Sequence, residues 1–149
     1  MERFLSKKAD RFSMKTYCKV LNVETESSVD LRNITGHVRQ VIDESGVKNG
    51  LVTIFVPHTT AGIYVNEDES GLRRDVDHVL SKLIPKGAGY LHDEVDDNAH
   101  AHLRSIIISP SITIPIIDGK LATGTWQSIF FAEFDGPRKR RLIVHVMGN

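Results

Sequence analysis

Residues 51–67 have the sequence LVTIFVPHTTAGIYVNE, and this stretch carries the strongest structural signal in the chain. Its first six residues form an apolar run that ends before Pro57, which predicts a buried strand closed by a residue that cannot continue it. The residues after Pro57 supply an imidazole, two hydroxyls, a glycine, and then an amide and a carboxylate. Polar groups at the end of a rigid strand are held in fixed geometry, so this segment predicts a functional site.

Helical and alternating spacings of apolar residues predict the elements around this strand. The predicted helices begin or end at capping and helix-breaking residues, namely Asp30 and Gly46, Ser70 and Pro85, and Asp96 or Asp97 and Pro110. The predicted strands cover residues 14–23, 51–56, 112–117, 125–134 and 142–147. Asp118-Gly119 is typical of a hairpin turn, here between the third and fourth of these strands.

The order of these elements predicts the fold class. The helices are interspersed with the strands without alternating strictly, which favours an α+β domain over a doubly wound parallel sheet. We predict one compact domain over residues 13–149, in which antiparallel-rich mixed β-sheets are covered by about three helices. Residues 1–12 are predicted to form a loosely ordered leader. The GxGxxG, Walker and HExxH motifs are absent from the sequence, so no organic cofactor is expected.

Composition and charge exclude several classes of function. The 149 residues carry 19 basic and 19 acidic side chains, so no global field attracts nucleic acid or an anionic membrane. Cys18 is the only cysteine, which excludes an intramolecular disulfide and suits a reducing compartment. No apolar run approaches the roughly 20 residues that span a bilayer. We therefore expect a cytoplasmic protein without nucleic-acid or membrane partners.

Three polar clusters supply candidate metal ligands and acid–base groups. Histidines with a carboxylate are the usual ligands of a zinc ion that keeps one position open, and His58, His92 and His102 are the predicted set for a divalent metal, zinc or magnesium. His58, His102 and Glu67 are the predicted catalytic groups, with Glu67 as a general base or, alternatively, a fourth metal ligand. His100 and His102 diverge by about 200° on a helix, so only one should serve a common site. A single histidine is more often structural, and Glu67 is alternatively an ordinary helix-start carboxylate.

Hydroxyl, amide and guanidinium groups supply candidate contacts to a substrate. Projecting the same way from a strand, Arg138 and Arg140 could grip an anion together, with Asp135 ordering them. The basic run at residues 138–141 is alternatively a solvated face, and Trp126 is alternatively core filler. The predicted substrate- and phosphate-binding residues are Thr59, Thr60, Asn66, Trp126, Gln127, Asp135, Arg138 and Arg140.

An ordered set of short motifs resembles a known family. The set consists of HTTAG and NE within residues 58–67, Y-x-H at 90–92, NAHAHL at 98–103, SITIP at 111–115, GTWQ at 124–127 and EFDGPRKR at 133–140. It resembles the YjbQ-like family, called secondary thiamine-phosphate synthases, in order over nearly the whole chain. In that family the histidines corresponding to His58, His92 and His102 recur, whereas the position of His100 is often another residue. Thr60 stands where serine is common, which keeps the hydroxyl.

The resemblance implies a YjbQ-like α+β fold, a homotrimer with polar clusters near subunit boundaries, and an association with zinc or another divalent ion. It also implies a weak ability to join a hydroxymethylpyrimidine diphosphate to a thiazole phosphate with release of pyrophosphate. Two alternatives stay open: a metal-dependent hydrolase that uses the same histidines, and a non-catalytic trimer that binds a phosphorylated metabolite. The three histidines could converge within one subunit or across an interface.

Overall fold

The computed structural model describes residues 13–149, so the predicted leader at residues 1–12 lies outside the described chain. The strands are β1 (Lys15–Glu24), β2 (Asp30–Asn33), β3 (Gly50–Phe55), β4 (Ala61–Asn66), β5 (Ser111–Ile117), β6 (Lys120–Leu121), β7 (Ser128–Glu133) and β8 (Lys139–Gly148). The helices are α1 (Thr35–Ser45), α2 (Ser70–Leu83) and α3 (Ala99–Ile108), with a 3₁₀ turn at Leu91–Glu94. This is the predicted α+β class with three helices.

The strands form two sheets. One has five strands in the order β1-β8-β3-β5-β6, and the other has three in the order β2-β7-β4. Every pair of neighbouring strands within residues 13–149 is antiparallel. The predicted antiparallel character is therefore confirmed, but the sheets contain no parallel pair within these residues and are not mixed. The predicted strand at residues 142–147 lies within β8, which is an inner strand between β1 and β3.

The hydrophobic core lies between the two sheets and continues under the helices. Alternation along β7 places Ile129 and Phe131 in the larger core, together with buried residues of α1, β3, β5 and β8. The opposite face of β7 carries Ala132 and Phe134, which pack with Leu80 of α2 and Ala101 of α3. The three-stranded sheet is therefore buried on both faces, which explains the nearly continuous apolar sequence of β7.

The first helix begins later than predicted. Asp30 does not cap it, because residues 30–33 form β2 and pair with β7. The side chain of Asp30 accepts a hydrogen bond from the Glu26 amide, and Asn33 Oδ1 accepts bonds from the Thr35 amide and hydroxyl. The predicted end is confirmed: Gly46 adopts φ 65° and its amide bonds to the Asp43 carbonyl.

The polar segment after Pro57 is only partly a loop. Residues 61–66 form β4, whose Ala61 and Ile63 are buried and pair with β7 in the three-stranded sheet. Residues 56–60 therefore carry the chain from one sheet to the other. The polar residues that precede β4 in the chain and those that follow it are therefore held at opposite ends of this sheet.

The C-terminal strands also differ from the predicted pattern. Asp118-Gly119 forms a tight turn, but it joins β5 to the two-residue β6, and β7 belongs to the other sheet. Trp126 and Gln127 precede β7, and Lys139 begins β8, so the basic run lies partly within a strand.

The second helix begins at Ser70 as predicted, where the Glu69 carboxylate accepts bonds from the Gly71 and Leu72 amides. The third helix begins after Asn98 and not after Asp96 or Asp97; the Ala99 amide donates instead to Asp93 Oδ1. None of the helices in residues 13–149 has the length and apolar composition needed to cross a bilayer.

Candidate functional site

The site begins with a carboxylate at the end of a buried strand. Glu133 is the last residue of β7, and alternation turns it toward the same side as Phe131, where its side chain is 0 % exposed. A buried carboxylate requires a partner. Arg140, on β8, supplies it with two bonds of 2.6 Å, from Nε to Oε2 and from NH2 to Oε1. This bidentate pair joins the two sheets.

Further polar groups complete the shell around this pair. Thr25 Oγ1 donates to Glu133 Oε2 at 3.2 Å, and the amides of Phe134 and Asp135 donate to Oε1 at 3.1 and 3.0 Å. Arg140 NH2 also donates to Thr60 Oγ1 at 2.7 Å. Because these bonds engage the donors of Arg140 that face inward, it does not project beside Arg138 as predicted.

The loop that follows Glu133 presents a second, more exposed pair. Arg138 donates from Nε to the Asp135 carbonyl and from NH2 to Asp135 Oδ2, both at 2.7 Å, while 52 % of its side chain stays exposed. Asn98 Nδ2 donates to the same carboxylate oxygen at 3.0 Å. Burial raises the pKa of Asp135, but the bonds from Asn98 and Arg138 outweigh it and hold the pKa below its ordinary value. Asp135 therefore holds the Arg138 side chain in place, as was predicted.

His58 lies beside the buried pair. Its Nε2 is 3.0 Å from both the amide nitrogen and the carbonyl oxygen of Arg141, so it accepts from the first or donates to the second according to its tautomer. Burial lowers the pKa of His58, and the positive charge of Arg140 lowers it further. The imidazole is therefore neutral near pH 7 and able to take up a proton.

A cavity of about 450 Å³ opens over His58. Three cationic side chains line it, Lys139, Arg140 and Arg141, and the one facing carboxylate, Glu24, lies 3.7 Å from Lys139. Thr60 is buried against Arg140, whereas Thr59 is exposed and its carbonyl accepts from Ser105. The arrangement fits an anion at the mouth of the cavity.

His92 and His102 form a separate cluster. The Asp93 carboxylate ties the 3₁₀ turn to the start of α3, and this brings the two rings to 4.7 Å between centroids in an edge-to-face arrangement. His100 faces another cavity, together with Arg104 and Asp135, so the predicted divergence of His100 from His102 is confirmed.

Two of the three predicted metal ligands, His92 and His102, lie together. Two imidazoles on one tetrahedral zinc have ring centres about 5 Å apart for Zn–N bonds of about 2.0–2.1 Å, so the pair fits two ligand positions. Within residues 13–149, however, no three His, Cys, Asp or Glu side chains come together as a metal site, so one subunit does not join His58 to the pair. Nitrogen donors suit zinc better than magnesium.

The remaining predicted residues lie at the other end of the three-stranded sheet. Asn66 pairs with Ser128, whereas Ala61 pairs with Glu133, and the five steps along β4 span about 17 Å. Glu67 directly follows β4, and Trp126 lies two residues before β7. Both side chains are exposed, that of Trp126 by 73 %. Gln127 bonds only to its own loop: its side-chain oxygen accepts from the Gly124 amide at 2.9 Å, and its backbone amide donates to the Gly124 carbonyl at 3.1 Å. Within one chain Glu67 is not brought to His58, and Trp126 is not core filler.

Known proteins match this chain over the strands and loops that form the site. Positions 19–149 match the model of the family described as UPF0047 protein YjbQ-like. The chain belongs to the YjbQ-like UPF0047 family.

Members of the YjbQ-like family share both sequence and structure with this chain. A UPF0047 protein of Methanothermobacter thermautotrophicus is 44 % identical over 91 % of this chain and 94 % of its own length. The UPF0047 protein YugU of Bacillus subtilis is 34 % identical over 87 % and 98 %. A YbjQ-like protein of unknown function from Sulfolobus solfataricus has a TM-score of 0.90 at 40 % identity, covering 92 % of this chain and all of that one. These relatives give the family and the fold, and their names state no reaction.

Sequence reasoning missed Glu133, Thr25 and Asn98. A signal for Glu133 was available, because a carboxylate inside the apolar run SIFFAEF must be paired if the run is a strand. Thr25 and Asn98 gave no such signal, since their partners lie 108 and 37 residues away along the chain.

Proposed function

We propose that this YjbQ-like protein is an enzyme that acts on a phosphorylated small molecule bound in the cavity beside His58. The observation that carries the proposal is the convergence of His58, Lys139, Arg140 and Arg141 on one cavity, above a fully buried carboxylate that fixes Arg140. Phosphate is the anion that such a set of cations and donors binds best. Lys139 and Arg141 contribute positive charge to the cavity. Arg140 is held in place by Glu133 and forms part of the cavity wall.

His58 is the proposed acid–base group. Its pKa is lowered by burial and by Arg140, so the neutral ring accepts a proton at neutral pH. In the tautomer in which Nε2 donates to the Arg141 carbonyl, Nδ1 has a free lone pair and no bond to any residue in 13–149. A fixed ring with one unengaged nitrogen satisfies the geometric requirement for proton transfer.

The reaction proposed is the one that the family resemblance implies: joining a hydroxymethylpyrimidine diphosphate to a thiazole phosphate, with release of pyrophosphate. The basic cavity supports this proposal, because departing pyrophosphate carries negative charge that fixed cations stabilise. The activity is proposed to be weak, and the substrate that the site serves in the cell is proposed to be a phosphorylated metabolite of this kind.

A homotrimer is the proposed state of the active protein. The predicted residues lie at two ends of one sheet, and a cyclic assembly would place one end of a subunit against the other end of its neighbour. Exposed apolar side chains on the outer face of the five-stranded sheet support self-association, since monomers rarely expose large apolar areas. These side chains are Val20, Leu51, Phe55, Ile117 and Met147. Asn66, Glu67, Trp126 and Gln127 would then complete the site from the neighbouring subunit.

A metal-dependent hydrolase is the second candidate, favoured by the His92–His102 pair alone. A zinc ion on this pair would activate bound water for attack on a phosphate ester. It would need a third protein ligand from a neighbouring subunit. Zinc content per chain, measured beside the variant His102→Ala, tests the ligand role, and cleavage of a phosphate ester by water in the absence of the second substrate separates the hydrolase from the proposed transferase.

The proposed function is tested with His58→Gln, which keeps a group able to bond to Arg141 but cannot carry the proton. We expect kcat for the joining reaction to fall about 10²-fold or more while substrate affinity is retained. Lys139→Met should weaken substrate binding, and the exposed Lys82→Met on α2 is its matched control. A non-catalytic binder would show unchanged affinity in His58→Gln and no turnover in the unmodified protein.

Subunit complementation tests the shared site. His58→Gln and Glu67→Gln each inactivate one half of it, so trimers mixed at random from equal amounts should recover about a quarter of the activity. Activity that stays at the level of the separate variants would show that both groups act within one subunit, or that one of them does not act.

A further inference from the structure

A buried guanidinium outside the proposed active site has no anionic partner. Arg104, on α3, is 4 % exposed, and its Nε and NH2 donate to the Ile84 carbonyl at 3.1 and 2.9 Å. Every ion pair in residues 13–149 involves other side chains. A buried charge normally requires a partner of opposite charge, so the position of Arg104 requires explanation.

The electrostatics of Arg104 show the cost of this burial. Loss of solvent lowers the pKa of Arg104, and the negative charge of Asp77 offsets part of that effect. Asp77 is beyond ion-pair distance, and one of its oxygens already accepts a bond from Ser81. The guanidinium has five N–H donors, and the Ile84 carbonyl engages two of them. Donors therefore remain available to a ligand.

Arg104 lines a cavity of about 500 Å³ between α2, α3 and the turn before β2. Donors reach this cavity from several directions: Ser28 from the turn, Lys86 from the loop after α2, and His100 from α3. Two of the three carboxylates in its wall already have cationic partners, since Asp97 lies 3.4 Å from Lys86 and Asp135 lies 2.7 Å from Arg138. Arg104 and Asp77 are therefore the charged side chains in the wall that have no ion-pair partner in residues 13–149.

A second unsatisfied group lies in the same wall. His100 is 8 % exposed, and its Nδ1 is buried without a hydrogen-bond partner. A neutral imidazole can donate from Nδ1 in one tautomer or accept in the other, so it suits a ligand that offers either role.

We propose that this cavity is a phosphate subsite, in which Arg104 and His100 bind one phosphate group on the side of α3 away from His92 and His102. Phosphate fits better than carboxylate, because its oxygens point in several directions and the donors come from three separate segments. A protonated phosphate oxygen also offers a donor to His100 when Nδ1 accepts. The subsite depends only on Arg104, His100 and their cavity, so it is independent of the reaction proposed at His58.

Nuclear magnetic resonance of the His100 ring nitrogens tests this proposal in the intact chain. Inorganic phosphate is the probe, and acetate added at the same ionic strength is the comparison for a carboxylate. We expect phosphate to shift the His100 ring signals saturably and acetate to shift them less. Arg104→Met should weaken this phosphate binding about 10- to 100-fold, because it removes charge-assisted hydrogen bonds. Arg74→Met, on the exposed surface of α2, is the matched control and should leave the binding unchanged.

The same spectra separate this subsite from the site at His58. In Lys139→Met, phosphate should still shift His100 with unchanged affinity, while any response of His58 weakens. His100 signals that do not respond to phosphate in the unmodified protein would overturn the proposal and leave the cavity to ordered water, whether or not Arg104→Met folds. Equal phosphate affinity in folded Arg104→Met and in the unmodified protein would also overturn it, and stronger binding of acetate would assign the subsite to carboxylates.

Discussion

The two ends of the three-stranded sheet carry polar residues of similar type in opposite physical states. At the end where β7 finishes, Glu133 and Thr60 are buried, and both accept hydrogen bonds from Arg140, whose side chain is 9 % exposed. At the end where β7 begins, Glu67 and Trp126 are exposed. The first end stabilises the fold and fixes a cavity above it, whereas the second contributes little to one chain and is available to a partner or a substrate.

This difference separates two meanings of a polar motif. HTTAG and EFDGPRKR meet in space and satisfy one another, so several of their side chains position the site without contacting a ligand. The segments NE and GTWQ make few side-chain bonds within the chain, so we expect any role of theirs to involve a partner or a substrate. Substitutions at the first end should therefore be measured in stability, and those at the second in binding and assembly.

The largest effect is expected from breaking the buried ion pair. Glu133→Ala leaves Arg140 buried without its carboxylate, and we expect the free energy of unfolding to fall by about 3–5 kcal/mol. Urea denaturation followed by circular dichroism measures this change. Arg138→Ala is the control, because its pair with Asp135 is half exposed and should contribute about 1 kcal/mol or less.

The double variant Glu133→Leu/Arg140→Met sharpens the same comparison. If the loss in Glu133→Ala comes from an uncompensated charge, removal of both charges should recover most of the stability. A double variant as unstable as Glu133→Ala would show instead that the hydrogen bonds from Thr25 and the loop amides dominate.

The adjacent threonines provide a smaller, closely matched test. Thr60→Val keeps the side-chain shape but removes the acceptor of Arg140, and we expect a loss of about 1–3 kcal/mol. Thr59→Val, at the exposed neighbouring position, should change stability by less than about 0.5 kcal/mol. Equal effects of the two changes would contradict the assignment of Thr60 to the buried cluster.

The pH dependence of stability comes next in size. Burial and Arg140 lower the folded-state pKa of His58, so below its ordinary value near 6.5 the unfolded chain binds a proton that the folded chain resists. Stability from this group is therefore complete above about pH 6.5 and falls as the pH drops toward the lowered pKa. His100 acts in the same direction. In His58→Gln, the urea midpoint should fall less steeply as the pH drops from about 7.5 to about 5. An unchanged fall would show that other groups cause the pH dependence.

Much of the fold could be predicted because it depends on local patterns. Apolar spacing located α2 and β8, and Gly46 marked the end of α1, since only local geometry is needed there. Sheet membership could not be predicted: β6 and β7 follow one another along the chain but belong to different sheets. The short β2 was missed for the same reason, because its four residues form a strand only by pairing with β7.

The candidate site was predicted by residue type more successfully than by arrangement. Asp135 with Arg138, and His92 with His102, come together in the structure. The role of Arg140 could not be foreseen without Glu133, because a strand pattern predicts which side a residue faces and not what it meets there. The distance between Thr60 and Glu67 followed only once residues 61–66 were seen to be a strand.

Trp126→Ala should have the smallest effect on stability of these changes and the clearest effect on assembly or substrate binding. Its indole is 73 % exposed, so the free energy of unfolding of the isolated chain should change by less than about 0.5 kcal/mol. An exposed tryptophan is, however, the residue type that most often anchors an interface or stacks on a ligand. Light scattering and substrate titration, compared with the equally exposed Leu91→Ala, measure that role. If Trp126→Ala keeps both assembly and affinity, the far end of the sheet has no part in the site, and the two ends differ only in exposure.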